Sequence, residues 1–168
     1  KGALDSGFDA GIALDASALT VASAPTGKVI AGGTFQTFDG ISRRHVVQLN
    51  GDPGVIQVGG ASVIVLERGA NPPAQPMVSI PLQRFSGISG SITVGFTVTA
   101  GTATGGTDFV QTNGTVTFAP GATSNHVDLI ILNDVEIEGD EAFTFSLTNA
   151  VGGLLGASTN TLVTISDD

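Results

Sequence analysis

Two stretches concentrate the acids of this chain: Gly101-Thr-Ala-Thr-Gly-Gly-Thr-Asp-Phe109 and Asn133-Asp-Val-Glu-Ile-Glu-Gly-Asp-Glu-Ala-Phe143. Only 12% of the residues are charged, so a Thr- and Val-rich chain has placed its carboxylates in a few tight places. Carboxylates held close together repel one another and need a counter-charge. Ca²⁺ is a hard cation that accepts about six to eight oxygens in loose geometry, which suits ligands gathered from separate loops. The alternative is a solvated acidic rim, with Glu138 and Asp140 making turn hydrogen bonds and Asp108 bonding nearby backbone N–H groups.

Other chemistries find less support. Glu138, Asp140 and Glu141 could act as the paired acids of a glycoside hydrolase, but the chain has no Trp or Tyr to form a sugar platform. A Ser-His-Asp triad needs His45 or His126 beside a nucleophile, and neither lies in such a motif. His45 neighbours Arg43 and Arg44 and reads as part of a small basic patch on a solvated β edge; His126 opens a strand and faces solvent. Gly32-Gly33 and Gly105-Gly106 lack the strand-turn-helix setting of a phosphate cradle. With no Cys, disulfides and thiolate metal sites are excluded. The expectation is a protein that is not an enzyme.

The elements that must position these acids are strands. Ile92, Val94, Phe96 and Val98 alternate with Thr93, Gly95, Thr97 and Thr99, and Phe143, Phe145 and Leu147 alternate with Thr144, Ser146 and Thr148. Val78, Ile80 and Leu82 alternate with Ser79, Pro81 and Gln83. Each period-two pattern gives a strand with one face in a core and one toward water. Val127, Leu129 and Ile131 form a similar set, but Ile130 and Leu132 add apolar groups to the other face, which predicts a more buried strand. Pro81 lacks an N–H and is expected at an edge or bulge.

Strands are predicted at 61–66, 77–84, 91–99, 114–118, 126–132, 142–148 and 160–166, separated by turn signals such as Asn113-Gly114, Pro120-Gly121 and Gly152-Gly153. Seven short strands in that span predict an all-β, immunoglobulin-like Greek-key β-sandwich over residues 60–168. Glu67, Asp134 and Asp167 each follow a strand, and in an antiparallel sandwich several such ends can share one pole.

Residues 1–59 read as a separate small β-hairpin or blade-like unit of short strands joined by Gly turns, with Val29 and Ala31 alternating with Ile30. The connection near Asp52-Pro-Gly54 is short, which favours contact between the two parts over free tethering.

A length of 168 residues suits one domain, or one domain with an appendage. The net charge of −9 excludes nucleic acid as a partner, because the chain offers little to neutralise phosphates. Six Lys and Arg make no polybasic anchor, and no apolar run approaches the roughly 20 residues of a membrane span, so no membrane insertion is expected. The chain begins at Lys1 rather than Met, as a fragment or processed form would.

Several short motifs, taken in order, carry a resemblance. They are Val65-Leu66-Glu67, Gly101-Thr-Ala103 with Asp108-Phe109, Gly114-Thr-Val-Thr-Phe118 and Pro120-Gly121, followed by Asn133-Asp134 with Glu138-Gly-Asp-Glu-Ala-Phe143, and Thr164-Ile-Ser-Asp-Asp168. Together they resemble the Calx-beta domain, a calcium-binding β-sandwich module, over about residues 60–168. The resemblance implies that Glu67, Asp108, Asp134, Glu138, Asp167 and Asp168 supply side-chain oxygens to Ca²⁺. It further implies Glu141 as a peripheral ligand and Glu136 as a source of a backbone carbonyl. Asn133 stands where calcium-binding relatives often have Asp, and keeps an oxygen while losing a charge.

The segment from Asp5-Ser-Gly-Phe8 to about residue 53 resembles a single bacterial delta-sixty repeat, whose lone blade has no neighbour to cover its faces. The two resemblances imply a calcium-stabilised, non-enzymatic structural or adhesion module of a larger bacterial secreted or surface protein. Its partners would be the neighbouring domains of the same chain and a protein or cell-surface ligand.

Overall fold

A computed structural model describes residues 14–23, 28–49, 51–67, 75–134 and 137–167. The chain forms two compact units, one ending at Gly51 and one beginning at Asp52. The regular elements among the described residues are β-strands, and no helix is long and apolar enough to cross a membrane.

The first unit contains β1 (Ala18–Ser23), β2 (Val29–Gly33), β3 (Thr37–Phe38), β4 (Ile41–Ser42) and β5 (Val46–Leu49). An antiparallel sheet runs in the order β1-β2-β5, and β3 and β4 form a separate hairpin. The hairpin turns on Asp39-Gly40, both at positive φ (50° and 72°), as a two-residue turn matching strand twist requires. The Asp15 carboxylate accepts hydrogen bonds from the N–H groups of Gln36 (2.8 Å) and Thr37 (3.1 Å), which ties the segment just before β1 to this hairpin. Phe35, Ala31 and Val47 are the buried core, with Leu14, Phe38 and Leu49 packed on it.

The second unit contains β6 (Val55–Val58), β7 (Ser62–Leu66), β8 (Met77–Phe85), β9 (Ile92–Ala100), β10 (Asn113–Phe118) and β11 (Ser124–Ile130). Its last strands are β12 (Glu141–Val151), β13 (Leu154–Leu155) and β14 (Asn160–Ser166). A five-stranded sheet, β10-β9-β12-β14-β7, faces a four-stranded sheet, β11-β8-β6-β13. The alternation in the sequence sends Ile92, Val94, Val98, Phe143, Phe145 and Val163 inward from the first sheet, and Ile56, Ile80, Leu82 and Leu129 inward from the second. One shared core between two facing sheets is the β-sandwich expected of seven strands.

The structure adds to and corrects that expectation. Two further strands are present, β6 and β13, and they pair in parallel. β6 belongs to the unit that starts at Asp52, whereas the sequence boundary falls at residue 59. The chain leaves β6 in one sheet and enters β7 in the other across Gly59-Gly60-Ala61.

β11 is not more buried than its neighbours. It is an edge strand with simple alternation, and Ile130 is 39% exposed on its outer face. Pro81 lies in β8, an inner strand, in unbroken register with His126 of β11. On its other side the β6 ladder has already ended at Val58↔Leu82, and the Pro81 carbonyl accepts from the Gly59 N–H (2.7 Å). A missing N–H therefore costs no ladder bond at that position.

Sequence patterning did not single out Arg84, the fourth residue on the buried parity of β8 after Val78, Ile80 and Leu82. It is only 4% exposed. Its guanidinium donates to the carbonyls of Pro53 (2.8 Å), Gly87 (3.0 Å), Ala119 (3.2 Å), Ser89 (2.7 Å) and Gly90 (3.0 Å). One buried cation thus ties together three loops at the end of the sandwich where β8 finishes. Burial pulls its pKa below the ordinary arginine value, an effect opposed by the charge of Asp52.

Candidate metal centre

The pairing of the first long strand of the five-stranded sheet with the last is parallel. In β7 and β14, Val65 lies opposite Ile165 and Leu66 opposite Ser166. Both strands therefore exit at the same end, and the ladder continues with the Glu67 N–H donating to the Ser166 carbonyl (2.9 Å). This places Glu67 beside Asp167. An antiparallel pair would have sent them to opposite ends.

Three other segments converge on that end. β9 leads into the 101–109 loop, which is held to the start of β12: Ala103 N–H donates to the Ala142 carbonyl (3.0 Å), and Thr102 Oγ1 accepts from Ala142 N–H (2.8 Å). Gly101 is needed at this crossing, because a Cβ there would stand 2.5 Å from the Ala142 carbonyl oxygen. Adjacent residues then split their directions. Phe109 turns inward and stacks on Phe143, with ring centroids 4.2 Å apart and planes 25° apart.

Asp108, 7% exposed, points its carboxylate toward the pole. Its Oδ2 accepts from the Thr104 N–H (2.6 Å), the turn bond expected of Asp in Gly-Gly-Thr-Asp. That bond does not exclude Asp108 from the acidic cluster, and the structure shows both.

β11 delivers the next segment. Phe109 bridges Ile131, and Leu132 N–H donates to the Asp108 carbonyl (2.9 Å). Asp134 N–H then donates to Glu67 Oε1 (3.0 Å). Between them, Asn133 donates from Nδ2 to the Asp134 carbonyl (3.2 Å), while its Oδ1 is buried without a hydrogen-bond partner. In the 137–140 segment, Glu138 N–H donates to Asp167 Oδ2 (2.6 Å) and Ser166 Oγ to Asp140 Oδ1 (2.8 Å). Glu141 opens β12 opposite Ile165 of β14.

The structure thus gathers Glu67, Asp108, Asn133, Asp134, Glu138, Glu141 and Asp167 at one pole. Carboxylate oxygens of Asp108, Glu138 and Glu141 all lie within 4.8 Å of one another. Glu136 and Asp168 lie outside the described residues.

The electrostatics reflect this crowding. Burial raises the Glu141 pKa first, then a hydrogen bond to Asp108 and the negative charges of Asp108, Glu138 and Glu67; together they push it up to about 7. Glu67 is also raised, by burial first and by the charges of Asp134, Asp167 and Asp108, while the Asp134 N–H bond opposes the shift. Close like charges disfavour ionisation, and a bound divalent cation reverses that preference. The orphaned Asn133 Oδ1 fits the same ligand. A buried carbonyl oxygen without a partner costs roughly 1–3 kcal/mol, and an amide oxygen is an ordinary Ca²⁺ ligand. An all-oxygen donor set drawn from several loops suits calcium better than zinc.

Near His126 no catalytic relay forms. The Ser79 hydroxyl donates to Asp128 Oδ1, and His126 Nε2 lies 3.5 Å from Asp128 Oδ2. The carboxylate stands between the hydroxyl and the imidazole, so His126 is not placed to take the Ser79 proton. His45, at φ 66°, lies 3.1 Å from the Gly33 carbonyl through Nδ1.

The fold and the pole define a β-sandwich with an oxygen-rich acidic end built from interstrand loops. Residues 72–168 match the Calx-beta domain family, more than half of the chain, and the chain belongs to that family. Calx-beta domains are calcium-binding, non-catalytic modules.

Among relatives, the chain is 38% identical over 89 residues to adhesion G-protein coupled receptor V1 of Danio rerio, covering 52% of this chain and 1% of the receptor. It is 37% identical over 68 residues to sodium/calcium exchanger 1 of Felis catus, covering 40% of this chain and 7% of the exchanger. The chain therefore spans only a small part of either protein.

Among solved structures, the apo form of the Calx CBD1 domain is similar with a TM-score of 0.61 at 27% identity, over 67% of this chain and 96% of that domain. The Calx CBD2 domain shares the fold, with a TM-score of 0.62 at 16% identity over 71% of this chain and 90% of that domain. The repeat resemblance of the N-terminal unit is not identified by these comparisons.

Proposed function

We propose that this chain is a calcium-stabilised, non-enzymatic structural or adhesion module of a larger bacterial secreted or surface protein. The observation that carries the calcium reading is the convergence of seven oxygen-bearing side chains from separate loops at one pole. Within it, the carboxylates of Asp108, Glu138 and Glu141 come within 4.8 Å of one another. Glu67, Asp108, Asn133, Asp134, Glu138, Glu141 and Asp167 hold the ion, with Glu136 and Asp168 completing the set assigned from sequence.

Without the ion, folding must bring like charges together. With it, the same loops are crosslinked, and a ligand that binds only the folded state stabilises it by mass action. Asp167 follows the last strand, so an ion held there also stiffens the exit toward a neighbouring domain. The bacterial surface setting draws on the repeat-like character of residues 1–59, and a protein or cell-surface ligand is the partner class that setting suggests.

The test is the thermal midpoint of the chain in millimolar CaCl₂ and in chelator, with Asp134→Ala alongside. The expected result is a rise of several degrees with calcium that Asp134→Ala reduces. Identical midpoints in calcium and chelator would favour a metal-free interaction or spacer domain instead.

A further inference from the structure

We propose that β7 (Ser62–Leu66) is a docking edge for a second copy of this chain, the two strands pairing antiparallel about Ile64 so that one five-stranded sheet continues into the other. Nothing in this contact depends on a bound ion.

Among the described residues, the edges of the sandwich are β10, β7, β11 and β13, and all but β7 are blunted. β13 is only two residues long. β11 turns His126 and Asp128 outward, and charge of that kind deters strand addition. The free edge of β10 is met by Asn125, whose Nδ2 donates to the Thr117 carbonyl (3.0 Å). β7 has none of these devices. Its Ser-Val-Ile-Val-Leu carries no charge, Pro or Gly, and it runs with β14 in unbroken register from Ser62 to Leu66. Such an edge is a template for another strand.

Hydrogen-bond parity decides which register fits. Leu162 N–H donates to the Ala61 carbonyl (3.0 Å) and Glu67 N–H to the Ser166 carbonyl (2.9 Å), so the odd-numbered residues here turn their backbone groups toward β14. Successive residues alternate, which leaves the N–H and carbonyl of Ser62, Ile64 and Leu66 facing the open edge. In an antiparallel ladder, directly opposite residues can exchange both bonds. With Ile64 opposite its own copy, Ser62 meets the partner's Leu66, and all of those edge groups are paired. The side chains match as well. Ile64 is 72% exposed, Leu66 56%, and Leu162, opposite Ser62, 47%. On the shared outer face the partner's Leu66 falls beside Ser62 and next to Leu162, so two apolar rows merge into one.

Charge favours the antiparallel sense. The chain carries a net charge of −9, yet none of it lies on β7. Pairing about Ile64 sets Glu67 opposite the partner's Ala61, so the two Glu67 positions lie about 20 Å apart along the strands. That exceeds the Debye length of about 8 Å in physiological salt. A parallel pair would bring the two acidic poles together.

Sedimentation equilibrium of the whole chain tests this. The expected result is a monomer–dimer equilibrium that Ile64→Lys weakens by about tenfold or more, because it sets like charges opposite each other and removes an apolar contact. The Ile64 side chain is exposed in the single chain, so the variant should keep the parent's thermal midpoint at low concentration. Cysteine crosslinking then reads the register in a chain that has no Cys of its own. Ile64→Cys should give a disulfide-linked dimer on oxidation, since opposite Cα atoms in such a pair lie about 5.5 Å apart. Leu162→Cys, on the same face but three strand spacings from its copy, lies at least roughly 14 Å away and should stay monomeric. A chain that remains monomeric up to about 1 mM overturns the proposal and leaves the edge to a strand from a different protein. A dimer indifferent to Ile64→Lys, or equal crosslinking of the two cysteine variants, overturns it too.

Discussion

Replacing Glu141 with Gln should make the ion-free domain more stable while making it respond less to calcium. The carboxylate of Glu141 is pushed up to about 7 in the fold from an ordinary value of 4.5, chiefly by burial and then by Asp108. A raised carboxylate pKa means that the folded state binds the proton more tightly than the unfolded state does. Its ionisation therefore costs stability: the penalty is absent below the unfolded pKa, grows as pH rises through the folded pKa, and is complete above it.

The gap from 4.5 to about 7 corresponds to roughly 3 kcal/mol in the absence of solvent screening. Glu141 is partly exposed, and solvent screening reduces the figure to roughly 1–2 kcal/mol. Glu141→Gln keeps the shape and removes the charge, so in chelator at pH 8 it should gain that amount, or about 4–8 °C in thermal midpoint. At pH 5 most Glu141 is already protonated in the fold, and the difference between variant and parent should shrink toward zero.

The assay is a pair of melting curves by circular dichroism at the two pH values, in chelator and in millimolar calcium. A Gln variant that is less stable than the parent in chelator at pH 8 would refute the claim that crowding of like charges is the dominant force at this pole.

Three further outcomes are expected. Because Glu141 and Glu67 are raised by their surroundings, calcium binding near pH 7 should displace protons. Affinity should then increase from pH 6 to pH 8, and titration heats should change with the ionisation enthalpy of the buffer. Replacing Arg84 with Met should destabilise the fold by roughly 3–5 kcal/mol in denaturant melts, since several buried carbonyls lose their donor. Calcium affinity should be unchanged, because Arg84 sits at the far end of β8 from the pole. Phe109→Ala should cost roughly 3–5 kcal/mol and also weaken calcium binding, as it removes the ring that stacks on Phe143 and seats Asp108.

Much of this molecule was legible in its sequence, for a physical reason. A sandwich strand buries one face, so alternation such as Ile92, Val94, Phe96 and Val98 reports it directly. Turns announced themselves through Gly and Pro, and the acids stood out against a chain poor in charge. Pairing direction was not legible. Nothing local in Ser62–Leu66 or Asn160–Ser166 says that they run parallel, yet that pairing places Glu67 beside Asp167.

The short strands Val55–Val58 and Leu154–Leu155 were hidden because two to four residues are too few to show a period. Ile130 misled because an apolar residue on the outer face of an edge strand is common, and burial depends on what lies across from it. Arg84 carried a usable signal. A cation on the buried parity of an otherwise regular strand must find acceptors, and here they are loop carbonyls that only the folded chain assembles.

A crystal structure of the chain grown in millimolar calcium tests most directly whether the acidic pole holds an ion. The expected result is an ion at the pole with oxygens of Asp108, Glu138 and Glu141 at about 2.3–2.6 Å, and Asn133 Oδ1 no longer without a partner. A pole whose acids meet only water and backbone N–H groups under those conditions would contradict it.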